Sequence, residues 1–339
     1  MNDRKMTAVR LLKGEPGVVV ETVPVPEPDR DEVCIQVEYA GVCLTDLHFI
    51  DGNRHPSMAD AVTLGHEVSG VIDALGADVT GWQVGDRVTA NPTASRPEGD
   101  YIMGVHHDGS WADFLTVPAD TLVGIGDLAF DVASIIPDAV STPWGAIAGA
   151  ARVLPGEAAA VWGLGGLGYH AIRLLRLVGA LPIIAVDPLP AARERALAAG
   201  ADIALDPTDE NFGSKIGFQT GGRGLDVAFD FFGHESIHQQ AFDALAVGGR
   251  MVLIGLPRSG FSLRSTADLI RDAKSVIGSH GSDNRQIGQI VDFARSGRLD
   301  LSSSITRVFA LEEANAALDM LRKKQDNPIR LLLQPGGAA

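Results

Sequence analysis

Two short runs hold the side chains best suited to chemistry: Gly41-Val42-Cys43-Leu44-Thr45-Asp46-Leu47-His48 and Gly65-His66-Glu67. A reduced cysteine beside Thr, Asp and His suits a metal ligand or a nucleophile, because the thiolate is the active form in both roles. Catalytic zinc keeps three protein ligands and one open position, drawn from Cys, His and carboxylates. Cys43 and His66 supply two. The only other cysteine is Cys34, so a third ligand must be a carboxylate or another histidine. Asp138, in Ile136-Pro137-Asp138-Ala139, is one candidate and Glu67 is another. Neither run has the compact spacing of a CxxC site. A lone Cys is also commonly a small buried hydrophobe, so the spacing alone leaves the metal open.

A second constellation lies at Val161-Trp162-Gly163-Leu164-Gly165-Gly166-Leu167-Gly168. It places glycines at 163, 165 and 168 directly after an apolar strand and before a helix. Asp187 ends the next strand, nineteen residues after Gly168, close to the spacing of about 20 expected of a dinucleotide fingerprint. Gly163 permits the tight turn, Gly165 lets the backbone approach a pyrophosphate, and Gly168 lets helix and strand pack closely. The helix N-terminus then faces the negative charge. Asp187 would accept bonds from the adenosine ribose hydroxyls and repel a 2′-phosphate, which predicts NAD rather than NADP. Arg193 and Arg195 on the following helix add positive charge nearby. The plain alternative is a Gly-rich turn with Asp187 as a helix cap.

These runs need two different frameworks to position them. At 339 residues the chain is too long for one ordinary core, so two domains are expected. Before residue 150, short alternating runs (Val18–Val23, Glu32–Tyr39, Val68–Leu75, Asp86–Ala90) separated by Gly, Pro and Asp read as bent, largely antiparallel β structure. After it come apolar strands at Ala158–Trp162, Pro182–Asp187, Ile203–Asp206, Leu225–Phe231, Arg250–Leu256 and Ser275–Ser279. Helix-like runs such as Tyr169–Val178 and Ala191–Ala199 separate them, the pattern of an α/β parallel sheet covered on both faces. From about Arg307 the character is mixed again.

The net charge of −15 argues against nucleic acid as a partner, which needs clustered Lys and Arg, and against an anionic membrane surface. No segment reaches the roughly 20 apolar residues of a bilayer span, and the first ten residues lack the apolar core of a signal peptide. Two cysteines cannot build a disulfide framework, so a cytoplasmic setting is expected.

Taken together in order, these motifs resemble the zinc-containing medium-chain dehydrogenase/reductase family, the alcohol and sorbitol dehydrogenase group. The resemblance runs from about Thr7 to Leu333. It includes the runs at 41–48 and 65–67, Gly85-Asp86-Arg87-Val88, Asp108-Gly109-Ser110-Trp111-Ala112-Asp113, Ser141-Thr142 and the cofactor loop. It implies a GroES-like β-barrel catalytic domain over 1–150, completed by 307–339, and a Rossmann domain over 151–306. The active site would lie in the cleft between them.

Residue by residue, the resemblance implies Cys43, His66 and Asp138 as zinc ligands, with Asp138 standing where many members have a cysteine. That departure resembles bacterial secondary alcohol dehydrogenases. Glu67 matches a conditional fourth ligand, and Asp46 matches the carboxylate behind the ligand histidine. Thr45 matches the hydroxyl that takes the substrate proton, and His48 the outer end of the relay. Gly166 belongs to the cofactor loop. Thr142 and Leu167 match residues lining the nicotinamide, Gly255 and Leu256 the backbone beside it, and Arg330 an arginine that pairs with the pyrophosphate. The family's four structural-zinc cysteines would fall in Asn91–His107, which has none, so one catalytic zinc and no structural zinc are expected. His106 and His107 are expected to be solvated loop residues. Trp144 is a candidate for shaping the pocket. The implied activity is hydride transfer between NAD and a small, secondary alcohol or its ketone, in a homodimer or homotetramer. Two rivals stand beside it: an NADPH-dependent enone, quinone or imine reductase on the same fold, and a non-catalytic NAD(H)-binding redox sensor.

Overall fold

In the computed structural model, which describes residues 4–96, 99–255 and 260–336, the chain folds as two units. The first runs to Asp138 and resumes at Ser282; the second spans Ala139–Gly281. The framework of the first unit is the strand Glu32–Val42. It pairs antiparallel with Val68–Leu75 along one edge. Along the other edge it pairs first with Phe114–Pro118 and then with Arg330–Gln334. Its side chains alternate between two apolar clusters, Val33, Ile35 and Val37 joining the main core and Cys34 a smaller one with Met6, Ala8, Val25 and Ala112. The register Leu331 opposite Val42 carries Arg330 alongside Cys43, although the two are far apart in sequence.

Where the family's cysteine lobe would fall, Thr93–Arg96 and Gly99–Ile102 form an antiparallel hairpin. Tyr101, Met103 and Val105 bury in the main core of this unit, so apolar packing holds the segment down. Among the described residues, no helix is long and apolar enough to cross a membrane.

The second unit carries a parallel sheet whose strands lie in the order Ile203–Leu205, Ile183–Val186, Ala159–Trp162, Leu225–Asp230, Leu245–Leu253 and Ser275–Gly278. In chain order this is the doubly wound pattern, with the switch point beside Ala159–Trp162. The central strands Ala159–Trp162 and Ile183–Val186 are buried at every position, as continuous apolar runs require.

The boundaries expected at 150 and 306 are corrected. Residues 139–150 belong with the second unit, where the Ala151 carbonyl accepts a 2.6 Å bond from Arg250 Nε. The helix Asn284–Arg295 belongs with the first. Asn284 donates to the Asp120 carbonyl at 2.6 Å and accepts from Asn91 at 3.0 Å, and Arg295 pairs with Asp127 at 2.8 Å. Its apolar face docks on the β structure through such polar anchors, which periodicity cannot reveal.

Candidate metal centre and cofactor loop

Cys43 ends the strand Glu32–Val42 in extended conformation and caps the helix Leu44–Ile50. The cap is held by a neighbour's side chain: Asp46 Oδ2 accepts a 2.9 Å bond from the Cys43 backbone N–H. The other oxygen, Oδ1, lies 3.5 Å from His66 Nδ1. One buried carboxylate therefore fixes the backbone of Cys43 and the ring of His66 at once. A carboxylate on the Nδ1 side favours the Nδ1–H tautomer and leaves Nε2 free as a ligand.

His66 Nε2 and Cys43 Sγ each lie 3.6 Å from Asp138 Oδ2. Tetrahedral zinc at about 2.0–2.3 Å from N, O and S ligands needs them roughly 3.3–3.8 Å apart. The three ligand atoms all lie within 4.8 Å of one another, and among the described residues no other such set of three comes together. The donor set therefore fits a zinc ion. Its electrostatics point the same way. Burial disfavours the His66 imidazolium, but Asp46 and Asp138 outweigh it and hold its pKa well above the usual histidine range. The cluster calls for a cation. Asp138 sits in a wide π-helical turn over Ile136–Val140, a distortion common at functional sites.

Glu67 is fully buried beside His66. The room for it comes from Gly41, because a Cβ there would stand 1.8 Å from Glu67 Oε2. Trp111 Nε1 donates to the Gly41 carbonyl at 2.9 Å, and Ser110 Oγ donates to the Glu67 carbonyl at the same distance. The runs at 41–48, 65–67 and 108–113 thus converge on one place. Arg330 joins them: its Nη2 lies 3.1 Å from Glu67 Oε1 and 3.4 Å from Asp138 Oδ2. The resemblance offered this arginine to a pyrophosphate, and its position in the metal cluster was not foreseen. Thr45 Oγ1 lies 3.7 Å from Cys43 Sγ, and His48, half-buried, is three residues along the same helix and so on the same face.

Cys34 packs in a small apolar cluster, whereas Cys43 Sγ faces Thr45 and Asp138. Burial, with help from Asp73, pushes the Cys34 thiol up to about 12, so near pH 8 only about one part in ten thousand is thiolate. After chelation, iodoacetamide is expected to modify Cys43 and spare Cys34, and added zinc should protect Cys43. Peptide mass mapping checks this, and equal labelling of the two would overturn the assignment.

In the second unit Gly163 has φ +84°, and a Cβ on Gly168 would stand 1.9 Å from the Gly163 carbonyl oxygen. Only glycine lets the helix Gly166–Val178 pack this closely on its turn. At Gly165 an added Cβ would meet nothing within 4 Å, so the face where a pyrophosphate would approach is open. Gly166 and Leu167 form the first turn of that helix, and the helix Ser141–Trp144, with buried Thr142 and Trp144, packs on it. The loop fits a dinucleotide.

Asp187 Oδ2 accepts from Leu164 N–H at 2.9 Å and Oδ1 from Leu189 N–H at 2.8 Å. It is not the cap of the next helix, which begins at Pro190 with Leu189 as cap. Arg195 Nη2 donates to the Leu164 carbonyl at 2.8 Å, so the loop is held at both faces of one residue. Arg193 Nη1 donates to the Asp187 carbonyl at 2.7 Å.

A residue not singled out from sequence, Asp230, ties two turns together. Its Oδ1 accepts from Phe232 and Gly233 N–H at 2.9 Å, and its carbonyl accepts from Ile254 and Gly255 N–H at 3.0 Å. His238 Nε2 lies 3.2 Å from its Oδ2. The Asp-x-x-Gly spacing at the end of a buried strand was the available signal. Leu256 lies outside the described residues.

Comparison with known proteins agrees with this construction. Residues 29–127 match the model of the alcohol dehydrogenase GroES-like domain, and residues 166–296 match that of zinc-binding dehydrogenases. The chain is 30% identical over 345 residues to an L-threonine 3-dehydrogenase of Caldanaerobacter subterraneus subsp. tengcongensis, covering 95% of this chain and 97% of that one. It is also 30% identical to an NAD-dependent alcohol dehydrogenase of Sulfurisphaera tokodaii, covering 93% and 96% respectively. Among solved structures, the alcohol dehydrogenase of Aeropyrum pernix superposes with a TM-score of 0.86 at 28% identity, over 97% of this chain and 100% of that one. The chain is a member of the zinc-containing medium-chain dehydrogenase/reductase family, an oxidoreductase built from a GroES-like domain and a Rossmann domain.

Proposed function

We propose that the chain interconverts a secondary alcohol and its ketone, using NAD(H) and one zinc ion. The observation that carries this is the convergence of Cys43, His66 and Asp138, three side chains of the types that catalytic zinc takes. Zinc held there would supply a Lewis acid that lowers the pKa of the substrate hydroxyl. Thr45, beside Cys43, takes the hydroxyl proton, and His48 on the same helix face passes it toward solvent. Asp46 keeps His66 in the ligating tautomer throughout. In the second unit the glycine loop would hold the cofactor's pyrophosphate and Asp187 its adenosine ribose. Thr142, Leu167 and Gly255 would orient the nicotinamide, which supplies the hydride chemistry when bound. Several relatives are named L-threonine 3-dehydrogenases, and the hydroxyl at that carbon is secondary, which supports the same substrate class here.

The test is a panel of primary and secondary alcohols and ketones with the zinc-loaded chain, followed by nicotinamide absorbance and paired with metal analysis. NADH should form fastest with secondary alcohols, and NAD should outperform NADP. Zinc-free protein that reduces an enone, quinone or imine with NADPH would replace this reading. NADH binding with neither zinc nor turnover would favour a sensor.

A further inference from the structure

Arg330 brings a buried positive charge to a place where the metal would already supply one. Its side chain is 6% exposed, and a single nitrogen, Nη2, reaches both Glu67 Oε1 at 3.1 Å and Asp138 Oδ2 at 3.4 Å. A guanidinium is always charged and its planar group is held in one orientation by packing, so it can stand between two carboxylates in a fixed geometry.

The two carboxylates differ in what a metal would ask of them. Asp138 Oδ2 is the oxygen that also faces Cys43 Sγ and His66 Nε2 at 3.6 Å. A carboxylate oxygen has two acceptor directions, and Arg330 takes one while leaving the other toward the metal. Glu67 is fully buried at the same cluster. Without a counter-charge it would be drawn to a dication and would fill the position that substrate needs. One guanidinium thus meets a carboxylate that should ligate and another that should not.

We propose that Arg330 is a positioning residue of the metal centre, holding Asp138 Oδ2 toward the metal and Glu67 away from it. The inference rests on the reading of Cys43, His66 and Asp138 as ligands.

Cobalt(II) in place of zinc tests it, since its visible d–d bands are strong at four-coordinate sites and weaken when a further ligand enters. In Arg330→Gln the cobalt is expected to stay bound with bands several-fold weaker. Its kcat should fall by about 10- to 100-fold, the usual cost of losing a partner behind a ligand. NADH affinity, read by fluorescence titration, should not change. The double variant Arg330→Gln with Glu67→Gln should recover the band intensity, because the intruding carboxylate is gone. Arg330→Lys, whose flexible ammonium keeps the charge but not the planar, fixed geometry, should move the bands the same way by less. It also carries the test should Arg330→Gln not fold.

Unchanged bands in both single variants would overturn the proposal, and a lost NADH affinity beside them would return Arg330 to the cofactor pyrophosphate. Wild-type chain that takes up no cobalt would overturn the metal reading itself, and this proposal with it.

Discussion

Cys43→Ala is expected to remove stoichiometric zinc and turnover together. The three ligand atoms converge within 4.8 Å, with Asp138 Oδ2 at 3.6 Å from both Sγ and Nε2. Deleting Sγ leaves one imidazole and one carboxylate, too few for a catalytic site, which holds its ion by three. A Lewis acid is worth several kcal/mol of transition-state stabilisation, so turnover should drop by about a thousandfold or more. The fold should survive. Cys43 caps its helix through backbone groups, donating to Asp46 Oδ2 at 2.9 Å and accepting from Asp46 N–H at 3.2 Å, and alanine keeps both. Metal analysis, steady-state rates and a circular-dichroism melt on one preparation separate these effects. Zinc lost with the melt unchanged is the expected pattern. Turnover retained without zinc would remove the metal from the mechanism.

The second unit was the more legible half in the sequence. Its central strands are buried on both faces, so they read as unbroken apolar runs, and the glycine spacing has few other uses in that context. The first unit hid more. Lys5–Leu12 went unrecognised because both of its faces are partly covered, by different apolar clusters, which blurs a period of two. Around the paired strands Thr93–Arg96 and Gly99–Ile102, the sequence offers only missing cysteines and a loop able to shape a pocket, neither of which marks a hairpin. At the site, Cys43, Asp46, His66 and Glu67 were visible because motif and chemistry coincide within a few residues. Arg330 has, besides the pyrophosphate role the resemblance implies, a second set of partners in Glu67 and Asp138. Its nearness to Cys43 comes from an antiparallel pairing between chain segments far apart, and no local pattern encodes which partner a buried guanidinium will choose. Asp138 is a candidate from sequence, but no local pattern in Ile136-Pro137-Asp138-Ala139-Val140 marks the π-helical turn that carries it.

Asp187→Ser is expected to raise the Michaelis constant for NAD and to shrink its advantage over NADP. Hydrogen bonds to a charged group contribute about 1.5–3 kcal/mol each, so losing the ribose contact should cost NAD roughly 10- to 100-fold. Two unit charges 4 Å apart at a partly exposed site interact by about 4 kcal/mol, which is the scale on which a carboxylate excludes a 2′-phosphate. Removing it relieves that repulsion beside Arg193, whose Nη1 already lies 2.7 Å from the Asp187 carbonyl oxygen. The structure adds a complication that the sequence did not show. Asp187 also accepts from Leu164 and Leu189 N–H at 2.9 and 2.8 Å, so serine loosens the loop as well as the ribose contact. Asp187→Asn separates the two. Its amide oxygen keeps one of those backbone bonds while the charge is gone, so it should admit NADP with less damage to kcat than serine does. Steady-state constants for both cofactors with both variants decide the matter. If the NAD constants stay at wild-type values while the melting temperature falls, Asp187 serves only to hold the loop.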